Sequence, residues 1–227
     1  KFRFEGAELL EAGPLRARLR LRFRHGASRL RLDYLLGRHD RAVEVRGWIH
    51  WQERQRLLKL AFGVNLRRLD EYRAEIPYGN IERKADGRER AMQQWVDCPG
   101  RERGFAVAND GKYGVDVRAR TVRLTLLRGA GFAHHHPATM PPRDGRDQDQ
   151  GEQAFRLLLI PHGPGAGAEI TRAARCFNRG PVLSNEGTHA GRLPAVSSDL
   201  LEVRGPVWVD GLKEAEAGGA LVVRAYS

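Results

Sequence analysis

Apolar and polar residues alternate with a period of two along much of this chain, the spacing of a strand with one face toward a core and one toward water. The alternation is strict from Leu15 to Arg24: Leu15, Ala17, Leu19, Leu21 and Phe23 share one face, and five arginines share the other. That arginine row could line an anion groove, splay into water or meet acids on a neighbouring strand. Lys1-Phe2-Arg3-Phe4-Glu5-Gly6 alternates in the same way. The pattern returns as Leu30, Leu32 and Tyr34 within Ser28 to Leu36, and as Val43, Val45, Gly47, Ile49 and Trp51 within Ala42 to Trp51. Leu57 to Phe62 is more continuously apolar, which predicts a strand buried on both faces. Gly26, Gly37 and Gly63 punctuate these runs as turns would, so the first third reads as a meander in a large sheet.

Further along, Val64 to Arg73 reads as a strand end or irregular turn, and Ile76 to Arg83 as extended chain with Pro77 at an edge or strand start. Gly104 to Asn109 and Val115 to Val117 flank Asp110-Gly111, a hairpin signal. Thr121 to Leu127 and Ala154 to His162 are strands. The connection between them, Gly129 to Gln150, is long enough to suggest function or mobility. Ala168 to Asn178 is the best helix, with Ile170, Ala173, Ala174 and Phe177 at helical spacing. Leu200 to Val203, Pro206 to Val209 and Leu221 to Tyr226 are the last predicted strands. The expected class is all-β.

Composition changes this picture little. The 227 residues carry a net charge of +11, almost entirely through arginine. Such a surface would suit nucleic acid, but spread over a solvated sheet it equally reflects arginine-rich codon usage, and no nucleic-acid partner is expected. No apolar run approaches the roughly 20 residues needed to span a bilayer, so no membrane partner is expected. Cys98 and Cys176 form no Cys-x-x-Cys pair. With no secretion signal, two reduced thiols in a cytoplasmic protein are the expectation.

Several residues invite a chemical reading. His134-His135-His136 suggests a metal, yet adjacent residues of extended chain point to opposite sides, and no acid lies at ligand spacing. His162 and His189 are possible distant partners. Asp97, Asp110, Asp116, Asp149 and Glu152 could supply a carboxylate pair for sugar hydrolysis, but spacing sets no two of them across a cleft. Gly163-Pro164-Gly165-Ala166-Gly167 lacks the Lys and Ser/Thr of a phosphate loop and reads as a turn. Trp95, Tyr113 and Trp208 could act as sugar platforms or as core. Arg128 closes a predicted strand at the mouth of the long loop, where binding residues concentrate.

Six patches, in order, carry a family likeness: Glu11-Ala12-Gly13-Pro14-Leu15-Arg16-Ala17; Trp51-Gln52-Glu53-Arg54 with Leu57 to Phe62; Glu75-Ile76-Pro77-Tyr78-Gly79-Asn80-Ile81-Glu82-Arg83; Asn109-Asp110-Gly111-Lys112-Tyr113-Gly114; Leu124-Thr125-Leu126-Leu127-Arg128; and Asp149 to Phe155 with Pro161-His162. Gln94-Trp95-Val96-Asp97 lies between the third and the fourth. Together they resemble the C-terminal half of the α-mannosidases of glycoside hydrolase family 38, in its bacterial and cytosolic branch. Gln153 departs from the family's usual His, and the loop after Arg128 is longer than in that family.

The resemblance implies a large antiparallel β-supersandwich of the galactose mutarotase-like kind over residues 1–200, with 201–227 as the first strands of a smaller β-domain. It also implies a retaining α-mannosidase with one zinc ion, whose nucleophile, acid/base and metal ligands lie in an N-terminal domain. No catalytic or metal residue is therefore expected in this chain, and no cofactor. Arg128 is expected to face the substrate. The expected partners are that N-terminal catalytic domain, a mannoside in the full-length enzyme and, through an unpaired sheet edge, a second copy of the chain. The absence of Met at position 1, and a last strand running into Ser227, fit a piece of a longer polypeptide that is inactive alone. The other readings are a stand-alone carbohydrate-binding β-sandwich and an arginine-rich nucleic-acid binder.

Overall fold

The structure, a computed structural model, describes residues 1–129, 149–185, 187–192, 201–205 and 207–227. His134-His135-His136 and nearly all of the long loop after Arg128 lie outside the described residues, as do Leu200 and Pro206. Fifteen strands and one helix are described: β1 (Arg3–Ala12), β2 (Arg16–His25), β3 (Ser28–Gly37), β4 (Val43–Trp51), β5 (Leu57–Gly63), β6 (Glu71–Ile76), β7 (Gly79–Lys84), β8 (Arg90–Ala91), β9 (Trp95–Cys98), β10 (Gly104–Asn109), β11 (Gly114–Arg118), β12 (Thr121–Arg128), β13 (Gly151–His162), α1 (Gly167–Asn178), β14 (Trp208–Glu214) and β15 (Leu221–Tyr226). They form a nine-stranded sheet in the order β1-β2-β3-β4-β13-β10-β9-β6-β7, a four-stranded sheet β5-β12-β11-β8 and a two-stranded sheet β14-β15. Every pairing is antiparallel.

The alternation explains the packing. Leu30, Leu32, Val45 and Ile49 of the large sheet meet Val115, Val117, Val122 and Leu124 of the small one in a single buried cluster. The two sheets thus pack face to face, as the all-β sandwich reading requires. At Gly47 a Cβ would come within 2.0 Å of the Phe155 ring, so its missing side chain lets that ring lie across the strand. A second, smaller core forms on the outer face of the large sheet, where Ile170 and Ala174 of α1 pack on Trp95, Ala106 and Ala108.

The arginine row of β2 meets acids. Arg18 and Arg20 both bond to the buried Asp33 of β3, at 2.5 and 2.7 Å, while Arg16 pairs with Glu11 and Arg22 with Glu8. The Arg20 guanidinium, helped by Arg18 and opposed by burial, holds the Asp33 carboxyl down at about 2.

Four expectations need correction. β5 is not buried on both faces, because it is an edge strand of the four-stranded sheet and much of it stays accessible. Pro77 sits not at a strand start but in the two-residue turn between β6 and β7, with Tyr78 after it at φ 62°. Leu201 to Val203 is not a strand. Finally, the segments around Asp110-Gly111 do not form a hairpin: β10 belongs to the large sheet and β11 to the small one.

The connection between those last two strands is held by the buried side chain of Asn109. Its amide donates to the carbonyls of Gln93 and Gln94, and its oxygen accepts the N–H groups of Gly111 and Lys112 at 3.0 and 2.7 Å. Asp110 in turn accepts the backbone N–H and the guanidinium of Arg156 on β13, both at 2.9 Å. The motif that reads as a hairpin turn is a tied corner between sheets.

A buried ion cluster closes the other end of β10. Asp97 accepts from Arg73 at 2.6 Å and from His162 at 2.8 Å. His162 lies across Gly104, where a Cβ would fall 2.1 Å from the ring. The Asp97 bond raises the His162 pKa above the ordinary imidazole value against the effect of burial. A raised folded-state pKa means that the charged pair stabilises fully below the unfolded value and is lost as pH rises through the folded one.

Two outcomes follow. Asn109→Ala strands several buried backbone groups and should lower the unfolding free energy by roughly 2–4 kcal/mol, read from a urea melt. The native urea midpoint should fall between about pH 6 and pH 9, and His162→Gln should lower it at pH 6 and flatten that decline. A slope identical in both proteins would contradict the Asp97–His162 pairing.

Candidate functional site

Arg128 closes β12, a strand paired on both sides by β5 and β11. Between Thr125 and Leu127 the register against β5 shifts, so Leu126 is an extra residue. Such a bulge bends the strand end and re-aims the side chain beyond it. The backbone there is fixed from both sides: the Arg128 N–H donates to Asp149 at 2.9 Å, and the Gly129 N–H to the Arg56 carbonyl at 2.8 Å. The Arg128 guanidinium is exposed, and among the described residues it has no ion-pair partner. An anchored backbone with free donors can bind hydroxyls or carboxylates in a set direction. Next to it, between the sheets, lies an apolar slot of about 610 Å³ lined by Phe2, Phe23, Trp51, Leu57 and Leu126.

The candidate carboxylates are all engaged structurally. Asp97 belongs to the Arg73–His162 cluster, and Asp110 binds Arg156. Asp116 is buried between Lys59 and Arg123, each at 2.5 Å. Asp149 holds the Arg128 backbone, and Glu152 accepts the Trp48 indole N–H at 3.4 Å. The fold does not bring these five to one place. Among the described residues, no three His, Cys, Asp or Glu side chains converge to hold a metal ion. The His189 ring contacts the Ala190 carbonyl. Gly163 to Ala166 is a turn leading into α1, which begins at Gly167.

The aromatic candidates separate. Trp95 is core beneath α1. Trp208 is half-buried, with the Arg175 guanidinium 5.2 Å from its ring. Tyr113 is 58% exposed and lines a cleft of about 590 Å³. The fold assembles this cleft from parts that the sequence reading does not connect. Glu75 and Tyr78 come from the β6–β7 hairpin, Gln93 and Gln94 from the segment before β9, Arg175 and Arg179 from the end of α1, and Asp210 and Tyr226 from the β14–β15 hairpin. Tyr78 meets Tyr226 edge-on at 5.8 Å, and Arg175 donates to the Tyr226 hydroxyl at 2.7 Å. Glu75 is buried, and one of its oxygens accepts the Gln94 N–H at 2.7 Å. Burial raises the Glu75 pKa more than that bond, Arg175 and Arg179 lower it. Glu75, Tyr78, Gln94 and Tyr113 lie in patches that carry the family likeness, but their meeting with α1 and the β14–β15 hairpin is seen only in the folded chain.

The cysteines differ. Cys98 is buried, and burial pushes its thiol up to about 12; Cys176, on α1, is exposed. No described helix is long and apolar enough to cross a membrane.

Comparison with known proteins agrees with this architecture. The chain is 28% identical over 212 residues to human alpha-mannosidase 2C1, a match covering 88% of this chain and 19% of that protein. It is 23% identical to alpha-mannosidase G of Dictyostelium discoideum, over 96% of this chain and 20% of the relative. It therefore spans about a fifth of the length of these curated relatives. Among solved structures, an alpha-mannosidase from Enterococcus faecalis V583 shares the fold with a TM-score of 0.87 at 17% identity, over 99% of this chain and 29% of that one. A second family 38 protein from Enterococcus faecalis gives 0.85 at 17% identity, covering 99% of this chain and 30% of its own. Residues 3–136 match the glycosyl hydrolases family 38 C-terminal domain, and the chain belongs to that family.

Proposed function

We propose that this chain is the C-terminal β-region of a retaining α-mannosidase, whose zinc ion and bond-breaking carboxylates are supplied by polypeptide outside it. The observation that carries this reading is the match of residues 3–136 to a domain defined by its C-terminal place in such enzymes. The engagement of the candidate carboxylates in structural ion pairs supports it. In this reading the substrate is a terminal α-mannoside and the compartment is the cytoplasm. Residues 201–227 begin a further small β-domain; β14 and β15 pair with each other and with neither large sheet.

The chain's own contribution is positional. Arg128, carried by a strand whose end is pinned through Asp149 and Arg56, presents donors toward the sugar hydroxyls. A backbone fixed beforehand sets where the guanidinium emerges, and only the side chain is left to order on binding.

The chain alone, supplied with zinc, should release no measurable phenol from an aryl α-mannoside; robust turnover would overturn the external-centre reading. In the longer enzyme, Arg128→Ala should lower kcat/KM by roughly 10- to 100-fold, the worth of one charge-assisted hydrogen bond. Unchanged kinetics in that variant would remove Arg128 from the substrate.

A further inference from the structure

The cleft between the β6–β7 turn and the end of α1 combines accessible aromatic rings with incompletely paired polar groups. Tyr78 sits at φ 62°, after Pro77, in the turn position where glycine or asparagine is ordinarily found. A bulky residue in that conformation is strained. The Tyr78 ring remains 53% exposed although it meets Tyr226 edge-on and its hydroxyl accepts the Arg224 guanidinium at 3.2 Å. Tyr113, from the corner between the sheets, is exposed on the same cleft. Two accessible rings on one concave surface form an amphipathic wall.

The polar groups between them are only partly used. The Asp210 carboxylate lies 3.7 Å from Arg175, 3.6 Å from Arg179 and 3.5 Å from Arg224, which are ion-pair contacts at or beyond the limit of a hydrogen bond. The Arg179 side chain is 60% exposed. The side-chain oxygen of Gln94 is buried beside the cleft with no donor among the described residues, an arrangement that ordinarily marks a missing partner. Charge balances across the lining: Glu75 and Asp210 against Arg175 and Arg179. An anion would meet two carboxylates and a cation two guanidiniums. A neutral polyol can use both, because each hydroxyl donates and accepts. The volume of about 590 Å³ falls within the roughly 300–1,000 Å³ of small-molecule sites.

We infer that this cleft is a binding site for a neutral hexopyranose unit, with Tyr78 and Tyr113 against the ring's C–H face, Asp210 and Arg179 bonding its hydroxyls, and Gln94 lining the cleft beside them. The inference does not rest on the proposal above, since binding by this chain is read without turnover.

The test is a titration of the whole 15N-labelled chain, followed at the amide and side-chain resonances of Gln94. The probes are methyl α-D-mannopyranoside, methyl α-D-glucopyranoside and methyl β-D-galactopyranoside, with inorganic phosphate as the anionic arm. At least one glycoside should bind in the range of about 1–10 mM. Tyr113→Ala and Arg179→Ala alter exposed side chains that the core does not need, and each should weaken that binding about tenfold or more. Phe4→Ala removes an exposed ring from β1, at the opposite edge of the large sheet, and should change nothing. Three results would overturn the inference: no glycoside perturbing Gln94 up to about 50 mM, binding indifferent to both cleft variants, or phosphate occupying the cleft in preference to the sugars.

Discussion

The carboxamide of Asn109 fixes the crossing on which the rest of the molecule depends. At this residue the chain leaves a nine-stranded sheet and enters a four-stranded one, and four hydrogen bonds of a single buried side chain set the angle of departure. The same residue offers its backbone carbonyl to Asn178, the last residue of α1, at 3.0 Å. Arg156 ties Asp110 to the same helix end, with its guanidinium 4.8 Å from the Phe177 ring. One corner therefore places the small sheet and the end of α1 together. A turn stabilised only by backbone geometry could flex; one stabilised by buried amide bonds has a single low-energy arrangement.

Charge plays a structural part in the rest of the sandwich. A net charge of +11 suggests a surface searching for anions, yet many of the arginines face acids supplied by the next strand. Asp33, Asp97 and Asp116 are buried, and each is satisfied by two or more cationic or histidine partners. Buried ions paired this way add little net stability compared with apolar packing, but losing one partner is expensive, so they favour one register over its neighbours. A one-residue slip of β2 against β3 would part Arg18 and Arg20 from Asp33 and turn the leucine face outward.

The parts legible from sequence are those governed by local periodicity. β2, β3, β4, β12 and β13 emerge from period-two alternation and α1 from the spacing of Ile170, Ala174 and Phe177, because each pattern reports only which face of a segment is dry. Partnership between segments was not legible. The β10–β11 connection imitates a hairpin because Asp-Gly forms a tight turn whether or not the flanking strands pair, and the deciding bonds run to Gln93, Gln94 and Arg156, distant in sequence. β5 misled for a similar reason: an apolar run does not reveal whether its strand will sit at an edge. Arg128 could be found because it ends an obvious strand. The tyrosine-lined cleft could not, since its five contributing segments come together only after both hairpins and α1 have docked.

The contrast between the two thiols has a practical consequence. At neutral pH a maleimide dye would react with Cys176 and leave Cys98 untouched, since the latter is enclosed and holds its proton. Cys176 is the immediate sequence neighbour of Arg175, so the unaltered protein carries a ready point of attachment one residue from the cleft, where a fluorophore would report on its occupancy.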